Sequence, residues 1–221
     1  MALETVYATD EDLRIHAPGD YWAIVPREQK ILYGTTGVIN NWTLTTAEDA
    51  AAQGLAAGMV VSLLSGTTAT ARPNDQLAVQ SVATNTVTLR RIGFAASVGE
   101  PPTAGNNTVY VCYSAYPQLE EASYDLNERL GLQEDVSGRE PTDLHDLRQL
   151  RRACVFSVLS CLYWAQARQS ADRMADDFAA KAKRADEILG QILARLALRW
   201  TAAVDAEGYA TTSLRVGRFS R

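Results

Sequence analysis

The sequence predicts an α+β protein: a helical bundle of three to five helices carrying an inserted small antiparallel β-barrel or sandwich domain. Three observations predict it. Residues 30–115 are rich in Thr, Val, Gly and Asn, carry few charges and break into short apolar runs. From residue 116 the apolar positions return at i+3/i+4 spacing. The chain has 221 residues, 47% of them hydrophobic and 21% charged, enough for one domain or one and a half with a core that needs no disulfides. Disordered, collagen-like and disulfide-scaffold classes are thereby excluded.

The organisation that follows is an N-terminal helical segment of the bundle over 1–29 and the inserted β-rich domain over 30–115. The main helical bundle spans 116–200, and an extended basic arm spans 201–221. Thr9-Asp10-Glu11-Asp12 is a helix start: Thr9 or Asp10 caps, the acids suit the positive end of the dipole, and Leu13 is the first side chain expected to be buried. Pro18-Gly19-Asp20 breaks that helix, and a second is expected from Tyr21 towards Gln29, interrupted by Pro26.

Five strands are expected over 42–45, 59–63, 76–82, 86–92 and 108–113, with Ala83-Thr84-Asn85 as a hairpin turn. Gly34-Thr35-Thr36-Gly37 and Gly66-Thr67-Thr68 read as turns, and 47–53 as a helical turn. Short strands at this spacing suit a small barrel or sandwich.

Leu119, Ala122, Leu126 and Leu130 share one face of a helix over 116–130, closed by Gly131. Pro141-Thr142-Asp143 opens the next, running to about Gln169, with Leu144, Leu147, Leu150, Cys154, Val158, Cys161, Leu162 and Ala165 as its apolar positions. Residues 153–165 are apolar almost all round, so this helix is expected to be central. The last helix is expected over 171–200, with a buried stripe of Met174, Phe178, Ala182, Ala185, Ile188 or Leu189, Ile192, Leu196 and Trp200. Its early acids and its late Arg195 and Arg199 match the macrodipole.

The chemistry-bearing residues are few. His16 and His145 are the only imidazoles, and each reads as a capping or solvated helix-end group. An enzyme built on His145 and the neighbouring Asp143 and Asp146 is the weakest alternative. Cys112, Cys154 and Cys161 lack CxxC spacing and read as core thiols in a reducing compartment. No zinc-ligand cluster, nucleophile elbow, P-loop or dinucleotide fingerprint occurs, so no metal and no cofactor is expected. The acid pairs Glu120-Glu121, Asp176-Asp177 and Asp186-Glu187 lie on amphipathic helices and read as solvated faces.

A net charge of −5 argues against a generic nucleic-acid binder. The longest apolar run has thirteen residues, short of the roughly 20 a bilayer span needs, and no signal region follows Met1. A soluble cytoplasmic protein without membrane contact is expected. Residues 1–138 hold 7 basic and 16 acidic side chains, whereas 139–221 hold 14 and 10. Opposite-signed ends favour head-to-tail contact between copies.

Arg148, Arg151 and Arg152 cluster on one helix, suited to phosphate, to the nearby acids or to a partner's acidic surface. The segment Leu214-Arg215-Val216-Gly217-Arg218-Phe219-Ser220-Arg221 places arginines every third residue. Extended, it suits strand addition or an acidic groove.

The opening Tyr7-Ala8-Thr9-Asp10-Glu11-Asp12-Leu13 resembles the start of small neck proteins of tailed bacteriophages. The segment Asp177-Phe178-Ala179-Ala180-Lys181-Ala182-Lys183-Arg184-Ala185, with its long helix, the turn at 205–208 and the basic end, is similar to the C-terminal half of head-to-tail adaptor (connector) proteins. The likeness spans roughly 5–30 and 116–221; the β-rich stretch departs from the compact family pattern as an insertion. The resemblance implies a non-enzymatic virion protein assembled in the host cytoplasm. It would form a homo-oligomeric ring, a dodecamer, between the portal protein and a tail-side stopper or terminator protein, with DNA passing through without specific binding.

On that reading Tyr209, Leu214, Arg215, Arg218, Phe219 and Arg221 form a portal-docking arm, and Arg148, Arg151 and Arg152 meet the neighbouring subunit. The alternative is a ligand- or partner-binding module in which the 30–115 domain recognises a carbohydrate or another virion protein. An exposed Trp42 or Tyr110 on one sheet face would favour that alternative, and full burial of both would weaken it.

Overall fold

The computed structural model describes residues 5–65, 75–102, 104–132, 139–171, 173–199 and 201. The chain forms two compact units, Thr9–Tyr116 and Met1–Ala8 with Pro117–Arg221. The first two helices, expected in the bundle, therefore belong with the strands.

In the first unit, α1 (Asp10–His16) and α2 (Tyr21–Ile24) precede six strands: β1 (Lys30–Asn40), β2 (Thr43–Thr45), β3 (Val60–Ser65), β4 (Asp75–Ala83), β5 (Thr86–Arg90) and β6 (Gly105–Tyr113). The strands close into an antiparallel barrel in the order β1-β2-β5-β4-β3-β6. Closure leaves no unpaired edge to recruit a foreign strand. Alternate residues point inward, so Leu32, Leu44, Val61, Val79, Val87 and Leu89 meet in one buried cluster. Burying each contributes about 1.5–3 kcal/mol. The β4–β5 hairpin turns on two residues, with Ala83 paired to Thr86 and Thr84 in the left-handed region at φ 49°.

The expected barrel alternative is thus the one formed, but its longest strand, β1, was missed. Gly34-Thr35-Thr36-Gly37 lies within it and is not a turn. Gly34 pairs with Tyr110 on β6, and Tyr110 is fully buried inside the barrel. A Cβ on Gly34 would collide with the phenol, and one on Gly37 would lie 2.7 Å from the same ring. The glycines make room for an interior tyrosine, which fills the space they leave. The Tyr110 hydroxyl donates to Glu48 Oε2 at 2.9 Å, and burial together with that carboxylate pushes its pKa up to about 12.

Thr9 caps α1 in a reciprocal box with Asp12. Leu13 is buried, but not first. Asp10 and Glu11, expected only to complement the helix dipole, are 2% and 6% exposed. Asp10 accepts from Ser114 Oγ (2.6 Å) and the Ala115 N–H (2.8 Å), and the nearby Tyr21 hydroxyl donates to the Tyr113 carbonyl at 3.5 Å. Glu11 receives a forked pair from Arg90 and the Gly93 N–H at 2.9 Å. The acids fasten α1 to the barrel by charge-assisted hydrogen bonds.

The second unit contains α3 (Tyr116–Leu130), α4 (Arg148–Gln169) and α5 (Arg173–Arg195). Leu119, Ala122 and Leu126 are buried as expected. Gly131 ends α3 at φ 65°, and the Leu132 N–H returns to the Asn127 carbonyl at 2.8 Å. Tyr7 lies against α3: its N–H donates to Ser123 Oγ (3.2 Å) and its hydroxyl to Asn127 Oδ1.

Three expectations change here. Pro141–Asp143 forms a separate 3-10 turn, closed by reciprocal Glu140 and Asp143 caps, and Leu144 is extended and buried, so α4 begins at Arg148. The α4 helix is not buried all round: Cys161 and Ala165 are exposed, as is Leu147 before it. The α5 helix ends at Arg195 because the chain beyond it bonds elsewhere. His145 N–H donates to Arg199 O (2.9 Å), Arg199 N–H to Gln149 Oε1 (2.8 Å), and Thr201 N–H to Asp143 O (2.8 Å).

The α4 and α5 helices form an antiparallel hairpin. Tyr163 and Phe178 stack with centroids 6.2 Å apart, and Ser160 Oγ donates to Asp186 Oδ1 at 2.6 Å. Among the described residues of the expected α5 stripe only Phe178, Ala182 and Ala185 are buried; Met174 is 62% exposed, Ile188, Leu189, Ile192 and Leu196 are half-buried, and Trp200 lies outside the described residues. Among the described residues no helix is long and apolar enough to cross a membrane.

Candidate functional site

In the antiparallel hairpin the start of α4 faces the end of α5. Gln149 and Arg152, one turn apart on α4, therefore come opposite Ile188, Ile192 and Arg195 on α5. The returning strap adds Leu196, Ala197 and Arg199, and His145 and Asp146 close the end. Together they line an open cleft of ≈ 630 Å³.

Its electrostatics are one-sided. Arg195 sits in the last turn of α5, where the dipole favours a cation. Arg148, Arg151 and Arg152 sit in the first turns of α4, where the dipole disfavours one, by about 0.3–1 kcal/mol each in general. Asp146 offsets part of this: its Oδ1 accepts the Arg148 N–H at 2.9 Å and lies 3.9 Å from that guanidinium. Both side chains are well exposed, so the pair adds little. Arg152 lies over the Phe156 ring at 5.7 Å. Among the described residues, no carboxylate pairs with Arg152, Arg195 or Arg199. The cleft thus combines free guanidinium groups with a half-buried aliphatic ridge, an arrangement suited to a protein surface that is both acidic and apolar.

Of the residues singled out from sequence, Arg152 lines the cleft, while Arg148 and Arg151 lie on the same exposed end of α4. Tyr209, Leu214, Arg215, Arg218, Phe219 and Arg221 lie outside the described residues. His145 lines the cleft with an exposed side chain, and His16 is exposed in the last turn of α1. Sequence reasoning assigned Arg195 and Arg199 only to the helix dipole and Ile188, Ile192 and Leu196 to the core. An antiparallel hairpin was the missing inference, because it alone puts the two helix ends side by side.

Cys112 and Cys154 are buried, as core thiols should be, but Cys161 is exposed. It faces a hollow of ≈ 430 Å³ with Trp164, Ala165 and Arg168. Partial burial and the Glu121 carboxylate raise its pKa, which suppresses the thiolate a nucleophile needs. Among the described residues no group of three or more His, Cys, Asp or Glu is placed to hold a metal.

The barrel's interior is filled by its own side chains. Trp42 is 8% exposed and Tyr110 not at all, which weakens the recognition-module alternative. Other aromatic rings do lie at the surface of its unit: Tyr33 and Phe94 are about half exposed, with Lys30 over the Tyr33 ring at 5.5 Å, and Trp22 meets Tyr113 edge-on at 5.4 Å with Arg27 capping both rings at 4.1 and 5.0 Å. Arg27 also donates to the Trp22 carbonyl at 2.8 Å, so this stack ties α2 to the end of β6. Comparison with protein-family models, with curated proteins and with solved structures finds no match to the chain.

Proposed function

We propose that this chain is a structural protein of a tailed-bacteriophage neck, a ring-forming head-to-tail adaptor that joins the portal to the tail and lets DNA pass. It catalyses no reaction in this role. The observation that carries the reading is the α4–α5 hairpin, which leaves an apolar ridge half-covered and, among the described residues, Arg152, Arg195 and Arg199 without a paired carboxylate. A side chain of this kind stays uncovered at little benefit to one chain alone, and is satisfied when another subunit covers it. The resemblance of 5–30 and 116–221 to neck adaptors supports the same conclusion.

Arg148, Arg151 and Arg152 meet the neighbouring subunit of a dodecameric ring. Tyr209, Leu214, Arg215, Arg218, Phe219 and Arg221 dock on the portal, and the opposite face of the ring meets the stopper or terminator. The barrel is an insertion that decorates the ring. A wall rich in acids lets DNA slide, because tight binding needs phosphates neutralised by Lys or Arg. The protein resides in the virion neck after assembly in the host cytoplasm.

Deletion of residues 209–221 tests the arm. Heads and tails are expected to accumulate unjoined, counted by electron microscopy, while the circular dichroism of the truncated protein matches the full chain. Completed particles at normal yield would overturn the arm's role.

A further inference from the structure

We infer that the arginine cleft is filled by α3 of a second copy of this chain, in a heterologous contact that repeats from copy to copy. The inference deepens the ring reading, on which its biological setting rests, but its evidence is the chain's own charge map.

The outer face of α3 carries Glu121, Tyr124, Asp125 and Glu128, at spacings of three and four residues that set them on one stripe. All four are exposed, Tyr124 by 46%. Among the described residues no cation pairs with Glu121, Asp125 or Glu128. The cleft offers the complement: Arg152, Arg195 and Arg199 for the carboxylates, and Ile188, Ile192 and Leu196 for the tyrosine ring. Arginine forks match carboxylates in two parallel hydrogen bonds, and a tyrosine is an interface residue of low entropic cost.

A nucleic-acid strand would satisfy the guanidinium groups but leave the aliphatic ridge wet, so the apolar component favours a protein occupant. The two faces differ and lie on different elements, so the contact is head-to-tail. Such a contact propagates, and it closes into a ring when the rotation permits.

Charge exchange tests this. One variant carries Arg195→Glu and Arg199→Glu; a second carries Asp125→Arg and Glu128→Arg; a third carries all four substitutions. Self-association is read by sedimentation velocity at low salt, with circular dichroism confirming the fold of each. The expected result is concentration-dependent assembly of the wild type, weakened about tenfold or more in each two-site variant. Assembly is expected to return in the four-site variant and in an equimolar mixture of the two-site variants.

A wild type that stays monomeric at every concentration overturns the inference, as does a two-site variant that assembles normally or a four-site variant that does not recover. Tight binding of a short DNA duplex, lost with the arginines while self-association is unchanged, also overturns it. If assembly follows the charges but deletion of 209–221 leaves particle completion normal, the arm's docking role fails while this contact stands.

Discussion

Asp10 shows how much one side chain determines. Burial outweighs the hydrogen bonds it accepts, and its pKa rises from the ordinary 3.8 to about 6. Below pH ~4 the carboxyl is protonated in both folded and unfolded chains, and its contribution to stability is complete. As pH rises towards 6 the unfolded chain releases this proton first, so the contribution is lost through that window. Denaturant titrations of wild type and Asp10→Asn should therefore diverge between pH 4 and 7, the wild type losing about 1–3 kcal/mol relative to the amide. Parallel curves would show that Asp10 is not titrating in its buried site. Gly34 makes the complementary case for shape. Gly34→Ala should cost about 1–3 kcal/mol by thermal melting, since its Cβ meets the Tyr110 phenol. Adding Tyr110→Leu removes the collision, so the pair should cost less than the sum of the single changes.

At the scale of elements, the second unit rests on the buried third of α5. Phe178→Ala should destabilise by about 3–5 kcal/mol, whereas Met174→Ala, one turn earlier on the same apolar pattern, should change stability by less than ~0.5 kcal/mol in chemical denaturation. The contrast also measures what sequence pattern can and cannot reveal. Period and caps were legible: α1, α3 and the cores of α4 and α5 lie where Thr9, Leu119, Gly131 and Phe178 put them, and five strands fall within a few residues of their β-branched runs. Two kinds of feature were not. The strand β1 hid because glycine is read as a turn unless the cross-strand Tyr110 that needs its space is already in view. The exposure of Met174 and Cys161 and the half-cover of Ile188, Ile192 and Leu196 hid because an amphipathic stripe looks the same whether it meets its own chain or another. That ambiguity is also why the cleft was not legible. Its arginines are distant in sequence and converge only when α4 and α5 fold back on one another.

The whole molecule joins a self-contained barrel to a helical unit whose hairpin is not self-contained. The barrel closes its hydrogen-bond ladder and fills its interior with its own side chains. Among the described residues the hairpin's guanidinium groups and aliphatic surface stay uncovered or half-covered, and the basic C-terminal arm adds a second point of attachment in the proposed role. In the proposed role, such a subunit would be held in place by its neighbours.

Electron microscopy of the purified protein mixed with its cognate portal measures the central claim most directly. An added ring of density is expected on one end of the portal, absent when residues 209–221 are removed. Portals that remain bare at saturating concentrations of the full chain would contradict it.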